Sequence, residues 1–278
     1  MHAADWKAGL SSSAVGSLER EVFEAYAQNG LQVMEISLPW EMYASIPWKD
    51  VQRLSAETGV EVRSIHLPFL PFAENDLSSL DAQVRQNTVQ GHTELMALAS
   101  EIGTRIAVVH PSAEPIPAGE RADRLQYTRE SLAKLAENAE KYGVTVAVEN
   151  LPRTCIGNCT AEMRFLLTAD ERLRLCFDTN HLLGEKNADY IRALGQYFIN
   201  IHVSDYDFVD ERHWLPYEGK TDWVELVTLL EDAGYEGPFL YEVPRHIPSG
   251  LNRRNLTYAD YRANYEACVN KRPAPRII

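Results

Sequence analysis

RLRLCFDTNH, residues 172 to 181, is an apolar run that stops on an acid. A short stretch of this kind fills a buried parallel strand. Asp178 therefore closes a strand, and His181 follows it by three residues. A carboxylate in that position needs a chemical reason.

The same pattern extends in both directions. Further candidate strands lie at 6–10, 31–37, 59–66, 104–110, 143–149, 197–203 and 237–243, making eight with 172–178. Amphipathic stretches separate them, and several end on Asn-Gly, Ile-Gly or Tyr-Gly, where glycine takes the left-handed turn that stops a helix. Ser78 with Asp81 reads as a capping box opening the longest helix. His92, in the middle of that helix, reads as solvated or structural. Eight strand–helix units close into a barrel of roughly 250 residues, whereas a doubly wound sheet uses about five or six strands. Across 278 residues no Pro/Gly/Ser linker or composition shift marks a boundary, so residues 1–278 are expected to form a single (β/α)8 TIM barrel domain.

Composition narrows the partners. The formal charge is −13, which repels phosphate backbones unless a basic stripe overrides it, and the sequence has no such stripe. No nucleic acid partner is expected. No segment approaches a membrane span, and the N-terminus lacks a signal or transit pattern, so a cytoplasmic protein is expected. The four cysteines read as free thiols, with Cys155 and Cys159 as bystanders. Glycine-rich phosphate loops are missing, which argues against a nucleotide cofactor.

In such a barrel the C-terminal strand ends build the active site. Here His66, His110, Glu149 and Asp178 close strands three to six, while His202 and Glu242 lie near the ends of strands seven and eight. His181 follows Asp178, and His213 sits in the loop after strand seven. Singly, each residue has a bland explanation as a cap or a satisfied core histidine. Together, carboxylates at this density repel one another unless a cation neutralises them. Mixed Glu, Asp and His donors suit one divalent ion, Mn2+, Zn2+, Co2+ or Fe2+, at the C-terminal face of the strands.

VAVEN (146–150), FDTNH (177–181), IHVSD (201–205), the segment HWLPYEGKTDW from 213, and LYEVP (240–244) resemble the xylose isomerase-like barrels. SIHLPF (64–69) and VVHPS (108–112) fit the same superfamily. The sugar isomerase and epimerase branch implies metal ligands Glu149, Asp178, His202 and Glu242, with His181 touching substrate. It also implies Glu149 and Glu242 as catalytic groups that take and return a proton next to a carbonyl through a metal-stabilised enediolate. Two departures count against a free ketohexose 3-epimerase: Cys155 stands where those enzymes bind substrate with Glu, and Phe208 where they use Arg.

The resemblance leaves two alternatives. One is a metal-dependent inosose-type dehydratase. The other is an endonuclease IV-like zinc phosphodiesterase acting on abasic DNA, whose trinuclear ligand set is matched in type by His66, His110, Glu149, Asp178, His181, His202, His213 and Glu242, with Glu211 where that set has Asp. The acidic charge favours sugar chemistry. His66, His110, His181 and His213 are accordingly read as substrate-binding or additional metal residues, and a small-molecule sugar as the partner. The apolar loops at 38–48 and 67–76 suit a pocket wall. The segment 243–258 is long enough to cover the site or to meet a second subunit in a homo-oligomer, and Arg245, Arg253 and Arg254 are placed to meet an acidic substrate group.

Overall fold

Each apolar run holds a strand shorter than itself, and only β1 passes its run, by one residue: β1 (Ala8–Ser11), β2 (Val33–Ile36), β3 (Glu61–His66), β4 (Ile106–Val109), β5 (Thr145–Glu149), β6 (Arg174–Asp178), β7 (Phe198–Val203) and β8 (Phe239–Tyr241). The computed structural model describes residues 2–248 and 250–278; Ser249, in the segment after β8, lies outside the described residues. Neighbouring strands pair in parallel in chain order, and β8 pairs back onto β1, so the sheet is a closed barrel. A helix follows each strand: α1 (Arg20–Gln28), α2 (Trp48–Thr58), α3 (Ala82–Glu101), α4 (Arg121–Glu140), α5 (Thr160–Leu167), α6 (Asn187–Leu194), α7 (Trp223–Asp232) and α8 (Tyr258–Val269). This is a TIM barrel. No helix among the described residues is long and apolar enough to cross a membrane.

Strand alternation positions the site. On β5, Val146 and Val148 belong to the large core shared with the helices, whereas Ala147 packs with Ile106, Val108 and Cys176 in a small cluster inside the barrel. Residues two apart on a strand share a face. Glu149 therefore follows Ala147 into the barrel mouth, Asp178 follows Cys176, and His202 follows Asn200.

The helix stops behave as read, since Gly30, Gly103 and Gly143 all have positive φ. The capping box does not form. Asp81 alone caps α3 through Gln83 N, while the Ser78 hydroxyl donates to Asp76. A capping box occurs instead at Thr257 and Asp260, opening α8. His92 is buried rather than solvated, donating Nε2–H to the Pro68 carbonyl at 3.0 Å, and burial pushes its pKa down to about 4.

Candidate metal centre

Glu149, Asp178, His202 and Glu242 converge at the C-terminal end of the barrel, each offering an atom within 4.8 Å of the others. His202 Nδ1 lies 3.1 Å from Glu149 Oε1, 3.4 Å from Glu242 Oε2 and 3.9 Å from Asp178 Oδ2. Two further groups flank this set: His66 and His110 with Glu149, and His181 with Glu211 and His213. All eight residues singled out from the sequence are thus at one mouth, with Glu211 as a ninth.

Backbone carbonyls aim three of the imidazoles. Nδ1–H of His66 donates to Leu67, that of His181 to Asn150 and that of His213 to Glu242, at 2.9, 2.9 and 3.0 Å. A carbonyl oxygen only accepts, so the proton sits on Nδ1 and Nε2 is left to face the site. His66 Nε2 is 3.1 Å from Glu149 Oε2, an arrangement that repels unless a proton or a cation intervenes. Asn150 ties β5 to β6 by accepting from Asp178 N at 2.8 Å and donating to its carbonyl at 2.9 Å.

These residues fit a divalent cation. Asp178 Oδ2 is buried with no hydrogen-bond partner among the described residues, although Oδ1 accepts from Asn180 N at 2.6 Å. Leaving such an atom orphaned is costly, and a cation would satisfy it. Burial pushes the Asp178 carboxyl up to about 7, against the pull of His181. Burial also raises Glu149, but His202, His110 and His66 outweigh it and hold that carboxyl well below the ordinary range. Hard oxygens with one borderline nitrogen suit Mn2+, Zn2+, Co2+ or Fe2+.

The loop carrying Glu211 and His213 is organised by Asp205, which is fully buried. Its carboxylate accepts from the backbone of Tyr217, Gly219 and Thr221 and from Trp223 Nε1, at 3.0, 3.0, 3.1 and 2.9 Å. Gly219 is required here, because a Cβ would come within 2.4 Å of Asp205 Oδ1. Asp205→Ala would orphan these donors and is expected to cost at least about 3 kcal/mol. Chemical denaturation measures this, and an unchanged midpoint would mean that water replaces the carboxylate.

Above the four-residue set lies a cavity of about 220 Å³. Phe69 and Phe72, from the 67–76 loop, form its apolar wall, and Phe69 stacks on His110 with centroids 4.2 Å apart. The 38–48 loop does not line this cavity; it packs on the rim, where the Tyr43 hydroxyl donates to the His66 carbonyl. Cys155 lines the cavity but, like Cys159, joins none of the metal-capable groups among the described residues, and burial pushes its thiol up to about 12. Phe208 is 44% exposed and packs on Tyr206, outside the cavity lining.

Arg153 is the cation at the mouth. It adopts a left-handed φ of 50° and pairs with Glu114 at 2.7 Å, Asp210 at 2.9 Å and Glu211 at 2.8 Å. Arg245, Arg253 and Arg254 do not reach the cavity. Arg245 covers Tyr258, Arg253 pairs with Glu218 at 2.7 Å, and Arg254 pairs with Asp260. The described residues of 243–258 likewise contribute nothing to the cavity lining.

Sequence reasoning missed Glu35. It is completely buried inside the barrel, with Oε1 2.9 Å from His202 Nε2. An acid in the middle of the apolar run 31–37 was the available signal.

The likenesses to known proteins agree with this architecture. A protein of Methanocaldococcus jannaschii, uncharacterized, is 28% identical over 60% of this chain and 60% of its own length. The D-psicose 3-epimerase of Ruminiclostridium cellulolyticum is 26% identical over 79% of this chain and 76% of its own. Among solved structures, a D-tagatose 3-epimerase-like protein superposes with a TM-score of 0.80 at 22% identity, covering 95% of this chain and 98% of that one. Residues 23–262 match the family model of the xylose isomerase-like TIM barrel. The chain belongs to that family.

Proposed function

We propose that the protein is a metal-dependent isomerase or epimerase of a sugar or sugar derivative, acting by proton transfer next to a carbonyl. The observation that carries this reading is the pairing of a four-residue ligand set with a small, half-apolar cavity opening directly onto it. Similarity to sugar epimerases supports the substrate class. When bound at the set, a divalent cation supplies positive charge to the oxygen that becomes negative as the α-proton leaves.

The chain's own groups divide the remaining work. Phe69 and Phe72 offer the flat apolar wall on which the C–H face of a sugar packs. His181, with Nδ1–H held by Asn150, presents Nε2 to a substrate hydroxyl. Glu242 is the base that removes the proton, and Glu149, surrounded by imidazoles, mainly neutralises charge. Cys155, a neutral thiol where ketose 3-epimerases place a Glu, separates this substrate from free ketohexoses. Dehydration begins with the same proton abstraction, so product analysis distinguishes the dehydratase from the epimerase.

One observation favours a second reading, a zinc phosphodiesterase acting on abasic DNA. Three metal-capable groups share the mouth, and Glu149 belongs to two of them. Against it stand the charge of −13 and the engagement of Arg153 with three carboxylates, which leaves little to grip a phosphate backbone. Elemental analysis of purified protein is expected to find one tightly held divalent ion per chain, and no incision of an abasic duplex by zinc-loaded protein. Three tightly held ions with incision lost in His66→Ala would establish the phosphodiesterase instead.

A further inference from the structure

We infer that Glu35 is a positioning residue that fixes which nitrogen His202 presents to the metal set. This rests on reading Glu149, Asp178, His202 and Glu242 as that set, and it adds a residue from the opposite side of the barrel. On β2 Met34 and Ile36 face the outer core, so Glu35 between them faces the barrel interior, and a register shift that leaves Arg63 of β3 unpaired sets Glu35 opposite Ser64. Three donors converge on its carboxylate. His202 Nε2 lies 2.9 Å from Oε1, while Ser64 Oγ and Asn200 Nδ2 lie 2.7 and 3.0 Å from Oε2. A carboxylate with such neighbours acts only as an acceptor, so Nε2 of His202 keeps its proton and Nδ1 is the nitrogen turned toward Glu149, Asp178 and Glu242.

His202 differs in this from His66, His181 and His213, which backbone carbonyls hold by Nδ1. A carboxylate in the same role adds negative charge, raising the basicity of the ring as a ligand. Glu35 and His202 are both completely buried, so water cannot substitute for either. The other two partners belong to the same device. Asn200 precedes His202 by two on β7 and Ser64 lies opposite Glu35 on β3, so both strands hold the carboxylate in place.

The test uses the full chain, stripped of metal, and titrates it with Co2+ or Mn2+ alone. Glu35→Gln is expected to weaken binding about 10- to 100-fold, the range typical of lost partners of metal-ligating histidines. Ser64→Ala, which removes a partner of Oε2 and leaves the Oε1 to Nε2 bond, is expected to stay within about threefold of wild type. Nitrogen-15 NMR of the Zn2+-loaded wild type is expected to show His202 with its proton on Nε2, and this holds even if Glu35→Gln does not fold. An Nδ1–H tautomer in the wild type overturns the proposal. So does a folded Glu35→Gln with wild-type affinity, or an equal loss in Ser64→Ala, which would mark a packing effect. A wild type that binds no divalent ion would sink the metal reading itself, which is a different result.

Discussion

Asp178→Asn is expected to weaken divalent metal binding by more than about 100-fold, beyond the range seen when only a partner of a ligand is lost. The amide keeps the shape and the Oδ1 bond to Asn180, but it replaces the buried, unpartnered Oδ2 with a group that carries no charge to give a cation. The pH dependence has a definite sign. Burial raises this carboxyl to about 7 in the metal-free protein, so below that pH a metal must displace a proton. Wild-type affinity is expected to fall as pH drops below 7, and Asn at 178 should lessen that slope by about one proton, roughly tenfold per pH unit. A carboxyl whose folded pKa is raised contributes instability above its unfolded value, so the metal-free Asn variant should melt no lower than the wild type at pH 8. Metal titration together with melting curves thus separates ligand loss from unfolding. Wild-type affinity in the variant would remove Asp178 from the ligand set.

How much of this was legible follows from how the information is stored. Glu149, Asp178 and His66 sit at strand ends because period-two alternation carries a polar residue into the mouth when the apolar run stops, and this can be counted along the chain. Glu35 could not be placed by the same count. It lies in the middle of an apolar run rather than at its end, and its partner His202, 167 residues away, is brought to it only by closure of the barrel. Local polar chemistry misled in a similar way. Ser78 and Asp81 have capping-box spacing, yet Asp76 takes the Ser78 hydroxyl and also pairs with Arg124 of α4 at 2.8 Å, a tertiary contact that spacing does not encode. Arg245, Arg253 and Arg254 looked available because their acceptors, Leu256, Glu218 and Asp260, become neighbours only through the path of the loop after β8.

Glu242→Gln is expected to lower turnover by about 10³-fold while leaving substrate binding largely intact, within the usual contribution of a general base. The two glutamates of the ligand set differ in what surrounds them. Glu149 is 1% exposed, and both its oxygens face imidazoles: Oε1 meets His202 at 3.1 Å, while Oε2 meets His66 at 3.1 Å and His110 at 3.4 Å. Those neighbours hold it well below the ordinary carboxylate range and make it a weak base. Glu242 keeps 18% of its side chain exposed and, among the described residues, meets His202 and His213 through Oε2, at 3.4 and 4.0 Å. Against burial, His202 lowers its pKa too, but its Oε1 meets no imidazole among the described residues, and it is the carboxylate better placed to ligate through one oxygen and take a proton with the other. Glu149→Gln, by contrast, disturbs contacts to four histidines at once, His66, His110, His181 and His202, and is expected to lose the metal first. In D2O with a true substrate, wild-type protein should exchange the α-hydrogen, and Glu242→Gln, still metal-loaded, should not. Free exchange by that variant would move the base to Glu149 or to water, and a large rise in KM with unchanged kcat would make Glu242 a binding residue only.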